Sequence, residues 1–380
     1  MRVALVSPGY PPTPGGVETV VAHSARALVR AGITVEVLTQ ERRRDLDSRS
    51  EDQGVLVRRF PSNQAENYRC APGLYRYLAR HHDDYDVVHG HSYHALTGVA
   101  AALCLSATRA RTPYVLTPHY HGTGHTAARS LLHRAYRPLG HAALASAGSV
   151  LCVSRPEADL LRAHFPDLAE KISMVPNAVD ATAIRAARRF DDEPPTVLSV
   201  GRLERYKHID RLIEAFGAFT VPASARPAAQ LVVIGSGPDR ARLQEVAARC
   251  GVADRVRFLG RVGDDELRRW LRTAAALCSL SEHEAYGLAP AEALTAGARV
   301  VLSDIPAHAE LAAAEHGARL VPPDAGPDRI AAALADALAA DDQAPALTIL
   351  DWDDVAKLLI DVYRGAVYRG ARRAGAGVTA

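Results

Sequence analysis

Two doubly wound α/β domains, each a mostly parallel sheet with helices on both faces, are the fold class this sequence predicts. Three observations carry the prediction. The length of 380 residues exceeds the size at which a single hydrophobic core usually stops growing. Short apolar strands alternate with helical segments, the pattern of strand–helix–strand units. A second series of the same kind restarts after the charged stretch Arg188-Arg189-Phe190-Asp191-Asp192-Glu193-Pro194-Pro195, which reads as a linker.

The first series opens on the apolar strand Arg2-Val3-Ala4-Leu5-Val6-Ser7, followed by a glycine- and proline-rich loop from Pro8 to Gly16. Val17, Val20, Val21, Leu28 and Val29 then fall at helical spacing until Gly32, where a helix stops, and Ile33 to Leu38 is the next strand. Further strands are expected at Val55–Val57, Asp86–His89, Tyr114–Thr117 and Val150–Val153. The second series places strands at Thr196–Val200, Leu231–Ile234, Val256–Leu259, Ala276–Leu280 and Arg299–Leu302. The domains so implied span residues 1–187 and 188–364. Ligands of such sheets lie beyond the carboxyl ends of the strands, here in a cleft between the two domains.

Chemistry concentrates after the strand Ala276–Leu280. Ser281 to Gly297 holds a polar loop with Gly287, then Pro290, tolerated in a first helical turn, and Gly297 at a helix stop. N–H groups at Gly287, Leu288 and Ala289 then lack partners inside the helix, and with the helix dipole they suit a phosphate anion. Glu284 and Glu292 stand on either side; ionised carboxylates are pure acceptors and could hold sugar and ribose hydroxyls. Glutamates at an ordinary helix start can equally face water.

Gly201-Arg202-Leu203-Glu204-Arg205-Tyr206-Lys207 follows the strand Thr196–Val200. Arg202 offers a planar fork to phosphate oxygens and Lys207 a mobile point charge, although a lone cation on a surface loop is the commoner case. Gly15-Gly16 permits close backbone approach to an anion, yet a Gly-Gly turn after prolines needs no ligand. His119 and His121 close the strand Tyr114–Thr117, and His89 and His91 end the strand before it. These four histidines lie on separate strand ends with no helical pairing or Glu/His set, so no metal site is expected. Gly235-Ser236-Gly237 lacks the third glycine of a dinucleotide fingerprint, which argues against a nicotinamide enzyme.

The Glu284-x7-Glu292 spacing, with Tyr286-Gly287 inside it, resembles family 4 of the retaining glycosyltransferases, which have the GT-B fold of two Rossmann-like domains facing a central cleft. Tyr286 stands where phenylalanine is commoner. Gly201-Arg202 to Lys207 resembles the family's Gly-Arg…Lys-Gly motif with His208 for the glycine, and Pro176-Asn177-Ala178-Val179-Asp180 resembles its interdomain Pro-Asn-Gly-Val-Asp turn with Ala178 for the glycine. The resemblance covers nearly the whole chain, from Gly15-Gly16 to Trp352.

What it implies is specific. His119, Arg202, Lys207 and Glu284 would be the catalytic set. Gly15, Gly16, Arg202, Lys207, Gly235, Arg261, Glu284, Tyr286, Gly287, Leu288, Ala289 and Glu292 would bind the nucleotide sugar, and His89, His91 and His121 would lie on the acceptor side. The first domain would present the acceptor and the second the donor, with a final helix from around Trp352 to Tyr368 packing back across the joint and the C-terminal helix at about 365–380 crossing back to the first. The reaction would move a hexose from a nucleotide diphosphate sugar, UDP-linked by family frequency and GDP-linked next, to an acceptor hydroxyl with retention. A small natural product or aminocyclitol is the favoured acceptor, with a lipid-linked sugar or polysaccharide as alternatives. No cofactor and no metal are expected, because the cations neutralise the leaving diphosphate. A GT-B pseudo-glycosyltransferase or epimerase, a non-catalytic sugar-nucleotide-binding subunit and a regulatory interaction protein are the competing readings.

Bulk properties narrow the classes. A formal net charge of +2 with interspersed signs supplies no field for nucleic acid, and membrane association is not expected. Five scattered cysteines with no CxxC suit a reduced, cytoplasmic protein. No run approaches a membrane span or a signal h-region. Alanine-rich helices and frequent arginine suggest a GC-rich bacterial genome.

Overall fold

Strands buried on both faces are apolar at nearly every position rather than at alternate ones, and the central strands of this chain have that character. A computed structural model describes the chain except for residues 14, 64–69, 123–126, 219–228, 315–316, 340–348 and 377–380. The chain divides into two units, Met1–Asn177 with Trp352–Ala380, and Ala178–Asp351.

The first unit holds β1 (Arg2–Ser7), β2 (Thr34–Glu41), β3 (Arg49–Asp52), β4 (Val55–Pro61), β5 (Val87–His91), β6 (Tyr114–Thr117), β7 (Ser149–Cys152) and β8 (Ile172–Met174). Their order across the sheet is β3-β4-β2-β1-β5-β6-β7-β8. All pairs are parallel except β3–β4, a hairpin turned by Gln53 and Gly54 at φ 50 and 84. The order reverses between β1 and β5, so the loops leaving these two strands flank a topological switch. Leu38, Leu74, Val88, Leu116 and Val150 belong to the core beside this sheet. One carboxylate is built into it. Glu36 of β2 accepts from Arg58 and Tyr85 at 2.8 Å and from Arg2 at 3.0 Å. Burial opposes its charge, but Tyr85 and Arg58 outweigh burial and hold its pKa below the usual value.

The second unit holds β9 (Thr196–Val200), β10 (Gln230–Ile234), β11 (Val256–Gly260), β12 (Ala276–Ser279), β13 (Arg299–Ser303) and β14 (Ala318–Val321). They form one parallel sheet in the order β11-β10-β9-β12-β13-β14. Leu231 and Val233 of β10 enter one core layer, and Val232 and Ile234 the other, as the two-residue period of a strand requires. Here the order reverses between β9 and β12. Two Rossmann-like α/β units are therefore present, as the sequence predicts.

The boundaries differ from the expected 187/188 and 364/365, falling at Asn177/Ala178 and Asp351/Trp352. The helix Ala181–Ala186 packs on the helices Asp264–Thr273 and Leu288–Thr295, and Phe190 lies 4.6 Å from the Trp270 ring, so this segment and the charged stretch after it belong to the second unit. The C-terminal helix begins at Trp352, as expected, but runs on to Ala376, and it belongs with the first unit from its first residue. Trp352 stacks on His23 at 5.3 Å, Arg30 pairs with Asp353 at 2.5 Å, and Arg369 donates to Ser149 at 2.9 Å. Residues 377–380 of the expected helix lie outside the described residues. Ala178 replaces the family's glycine without strain, since its φ is not positive.

Candidate functional site

The loops leaving β9 and β12 meet at the switch of the second sheet. Lys207 Nζ lies 2.5 Å from Glu284 Oε1, with the two side chains only 17% and 21% exposed. Burial opposes both charges. The facing ammonium nevertheless holds Glu284 below the usual carboxylate range, helped by the Ser281 side chain, and Glu284 in turn raises Lys207. The loops are joined twice more, by Glu282 N donating to Tyr206 O at 2.9 Å and by His208 Nε2 at 2.7 Å from Glu282 Oε1. His208 adopts the left-handed conformation, φ 48 and ψ 40. A glycine takes that shape at no steric cost, whereas the histidine holds it with its ring tied to Glu282.

Gly287 takes φ 97 at the start of the helix Leu288–Thr295. A Cβ there would lie 3.2 Å from Leu311 Cδ1 and 3.4 Å from His308 Cδ2. In the first turn, the amides of Leu288 and Ala289 have no acceptor in the helix and Pro290 has no N–H at all, so the helix presents donors and a positive dipole end. The Tyr286 ring packs on the core below, and burial pushes its hydroxyl up to about 12. Glu292, further along the helix, is pushed up to about 7 by burial and by Asp264 and Asp180, with Arg268 acting in the opposite sense.

Of the other predicted donor-side residues, Gly235 lies on β10's exit next to β9. Its φ is 137, and a Cβ would collide with Gly201 O; one at Gly237 would collide with Leu203 O. Close packing of two loops explains these glycines without any ligand. Arg202 forms an ion pair with Glu204 and is 55% exposed. Arg261 is exposed beyond β11, the edge strand, two strands from β9.

In the first unit, Gly15 precedes the helix Gly16–Arg30, and a Cβ on it would collide with Glu18 Oε2. The Glu18 carboxylate thus lies over the helix start where the sequence suggests an anion. Gly16 has open space around it. His89 is buried with both nitrogens engaged, Nδ1 to Tyr363 OH at 2.7 Å and Nε2 to Thr117 Oγ1 at 2.8 Å. The His91 ring lies tilted against it at 4.3 Å and places Nδ1 3.4 Å from His119 Nε2. Burial lowers all three, His89 to about 3, His119 to about 4 and His91 well below its ordinary value, so they are neutral at neutral pH. His121 lies apart from them, stacked on His94 at 3.8 Å.

Three residues near these groups escape the sequence reading. His308 is fully buried beneath the Gly287 turn, bonded through Nδ1 to Ser303 O at 3.0 Å, and nothing in the alanine-rich sequence around it marks it. Tyr363 reaches His89 from a helix far along the chain. Glu157 binds the amide after His119, and the capping-box spacing Ser154-x-x-Glu157 is the one sequence signal that marks it.

Residues 14–183 match Glycosyltransferase Family 4, and residues 180–348 match Glycosyl transferases group 1. A D-inositol 3-phosphate glycosyltransferase from Xylanimonas cellulosilytica is 30% identical over 94% of this chain and 94% of its own. The chain belongs to the family 4-related glycosyltransferases. Among solved structures, this glycosyltransferase resembles sucrose-phosphate synthase from Thermosynechococcus elongatus with a TM-score of 0.78, at 21% identity over 96% of this chain and 98% of that one. It resembles HepE of Anabaena, solved with UDP and glucose, with a TM-score of 0.72 at 17% identity, over 96% and 100% of the two chains. At such identities the likeness is one of fold, and that fold is GT-B. The enzyme transfers a sugar from a nucleotide-diphosphate sugar to an acceptor. Among the described residues, no group of three or more His, Cys, Asp or Glu is placed to hold a metal ion, and no helix is long and apolar enough to cross a membrane.

Proposed function

We propose that this glycosyltransferase retains anomeric configuration and moves a hexose from a uridine diphosphate sugar to a hydroxyl of a small cyclitol-type acceptor. The observation that carries the donor half is the Lys207–Glu284 pair at the β9/β12 switch, beside the Gly287 turn. One ammonium proton serves Glu284, which leaves two for phosphate oxygens. The amides of Leu288 and Ala289 add neutral donors where charge grows on the leaving diphosphate, the position at which preorganised electrostatics accelerate most. Arg202 joins them by exchanging Glu204 for phosphate. Glu284 accepts from hydroxyls of the transferred sugar, Glu292 accepts from the ribose, and Tyr286 forms the apolar wall under the turn.

The first unit presents the acceptor. His119, neutral and backed by His91, contacts the transferred sugar; His91 and His121 face the acceptor, with His89 as their support. Because no carboxylate is assigned as nucleophile, the acceptor hydroxyl attacks on the face the diphosphate leaves and passes its proton to a donor phosphate oxygen. The inositol phosphate in the relative's name and the UDP in the HepE complex support the choice of acceptor and donor. Incubation with UDP-glucose and a panel of cyclitols, including D-inositol 3-phosphate, is expected to give an axial glycoside by proton NMR. An equatorial product would overturn retention, and turnover with GDP-sugars alone would overturn the uridine assignment.

A further inference from the structure

β6 and β7 pair only through Val115 with Ser149 and Leu116 with Val150. Beyond that point their ladder stops, and a side chain spans the gap. Glu157 Oε1 accepts from Tyr120 N at 2.5 Å, three residues beyond the end of β6, and Oε2 accepts from Val153 N at 2.6 Å, one residue beyond the end of β7. The carboxylate is 2% exposed. Its backbone is fixed separately, in the first turn of the helix Arg155–His164, where Ser154 Oγ accepts from Glu157 N at 3.2 Å.

The Tyr120 N–H belongs to the peptide plane shared with His119, so its direction is set by the His119 backbone. His119 sits at φ 48, a conformation that a residue with a Cβ rarely takes unless its surroundings impose it. Holding that N–H therefore holds the turn, and the turn sets His119 Nε2 against His91 Nδ1. We propose that Glu157 is a positioning residue for His119: its carboxylate clamps the Tyr120 amide and so maintains the left-handed turn that aims the imidazole. This rests on the reading of His119 as the group that contacts the transferred sugar.

Glu157→Gln keeps the shape but gives one amide donor an NH2 in place of an acceptor. With UDP-glucose as probe, kcat is expected to fall about tenfold or more while KM for UDP-glucose stays within about twofold, and Glu157→Gln/His119→Ala should be no slower than His119→Ala. Wild-type kcat in Glu157→Gln, or losses that multiply in the double variant, would overturn the proposal. The His119 ring Cε1–H resonance supplies a reading free of catalysis: it should move in Glu157→Gln, and its staying in place would overturn the clamp. Should His119→Ala keep full kcat, the role of His119 falls, and the resonance still decides whether Glu157 positions it. Glu157→Asp keeps the carboxyl group but is one methylene short of both amides, and it carries the same readings if the glutamine variant does not fold.

Discussion

Glu284 and Glu292 are the same residue type in one loop–helix unit, and their surroundings push them in opposite directions. Both are opposed by burial, but Glu284 faces an ammonium while Glu292 has Asp264 and Asp180 near it. If ribose hydroxyls donate to Glu292, binding selects its ionised form. Since its pKa is raised to about 7, the protonated form prevails below that pH and the binding form above it. UDP affinity is therefore expected to rise by up to about tenfold between pH 6 and 8, in excess of the change in Glu292→Gln, which also cancels titration of the diphosphate itself. Calorimetric titration across that range checks it, and parallel pH profiles in the two proteins would contradict it. At this scale the sequence reveals polar residues at strand ends, where Lys207 and Glu284 stand. It does not reveal that Arg202 turns to Glu204 or that Glu18 folds over Gly15, because both depend on rotamers that short-range charge selects.

The elements that matter are the turns between strand and helix. Gly287 needs its φ of 97, so Gly287→Ala places a Cβ in the left-handed region and 3.2 Å from Leu311 Cδ1. A cost of about 1–2 kcal/mol is expected, seen as a melting temperature lowered by a few degrees, together with weaker UDP binding as the first-turn amides shift. A variant with unchanged melting and unchanged UDP affinity would contradict that role for the turn. The central strands were legible because burial on both faces makes them apolar throughout. β3 was not, since Arg49-Ser50-Glu51-Asp52 is polar at every position and is held only by its hairpin to β4. β8 has three residues and β14 is a half-exposed edge, too little pattern for periodicity to register.

At the scale of the molecule, two sheets carry one topological plan, with strand order reversing at β1/β5 in the first unit and at β9/β12 in the second. That plan was readable from strand–helix alternation alone. The crossings between units were not, because Ile184 reads as the end of the first domain and Phe190 as linker until the helices they pack against are assembled, and Trp352 opens a helix whose partner, Gly16–Arg30, lies at the other end of the chain. The central claim is that the second unit grips a nucleotide through its diphosphate, with Lys207 as the cation that matters. Calorimetric titration of the whole enzyme with UDP and with uridine, in wild type and in Lys207→Ala, tests it most directly. The account predicts that UDP binds wild type at least about tenfold more tightly than uridine and that Lys207→Ala removes most of that difference. Equal affinities for UDP and uridine in the wild type, or an undiminished preference for UDP in Lys207→Ala, would contradict it.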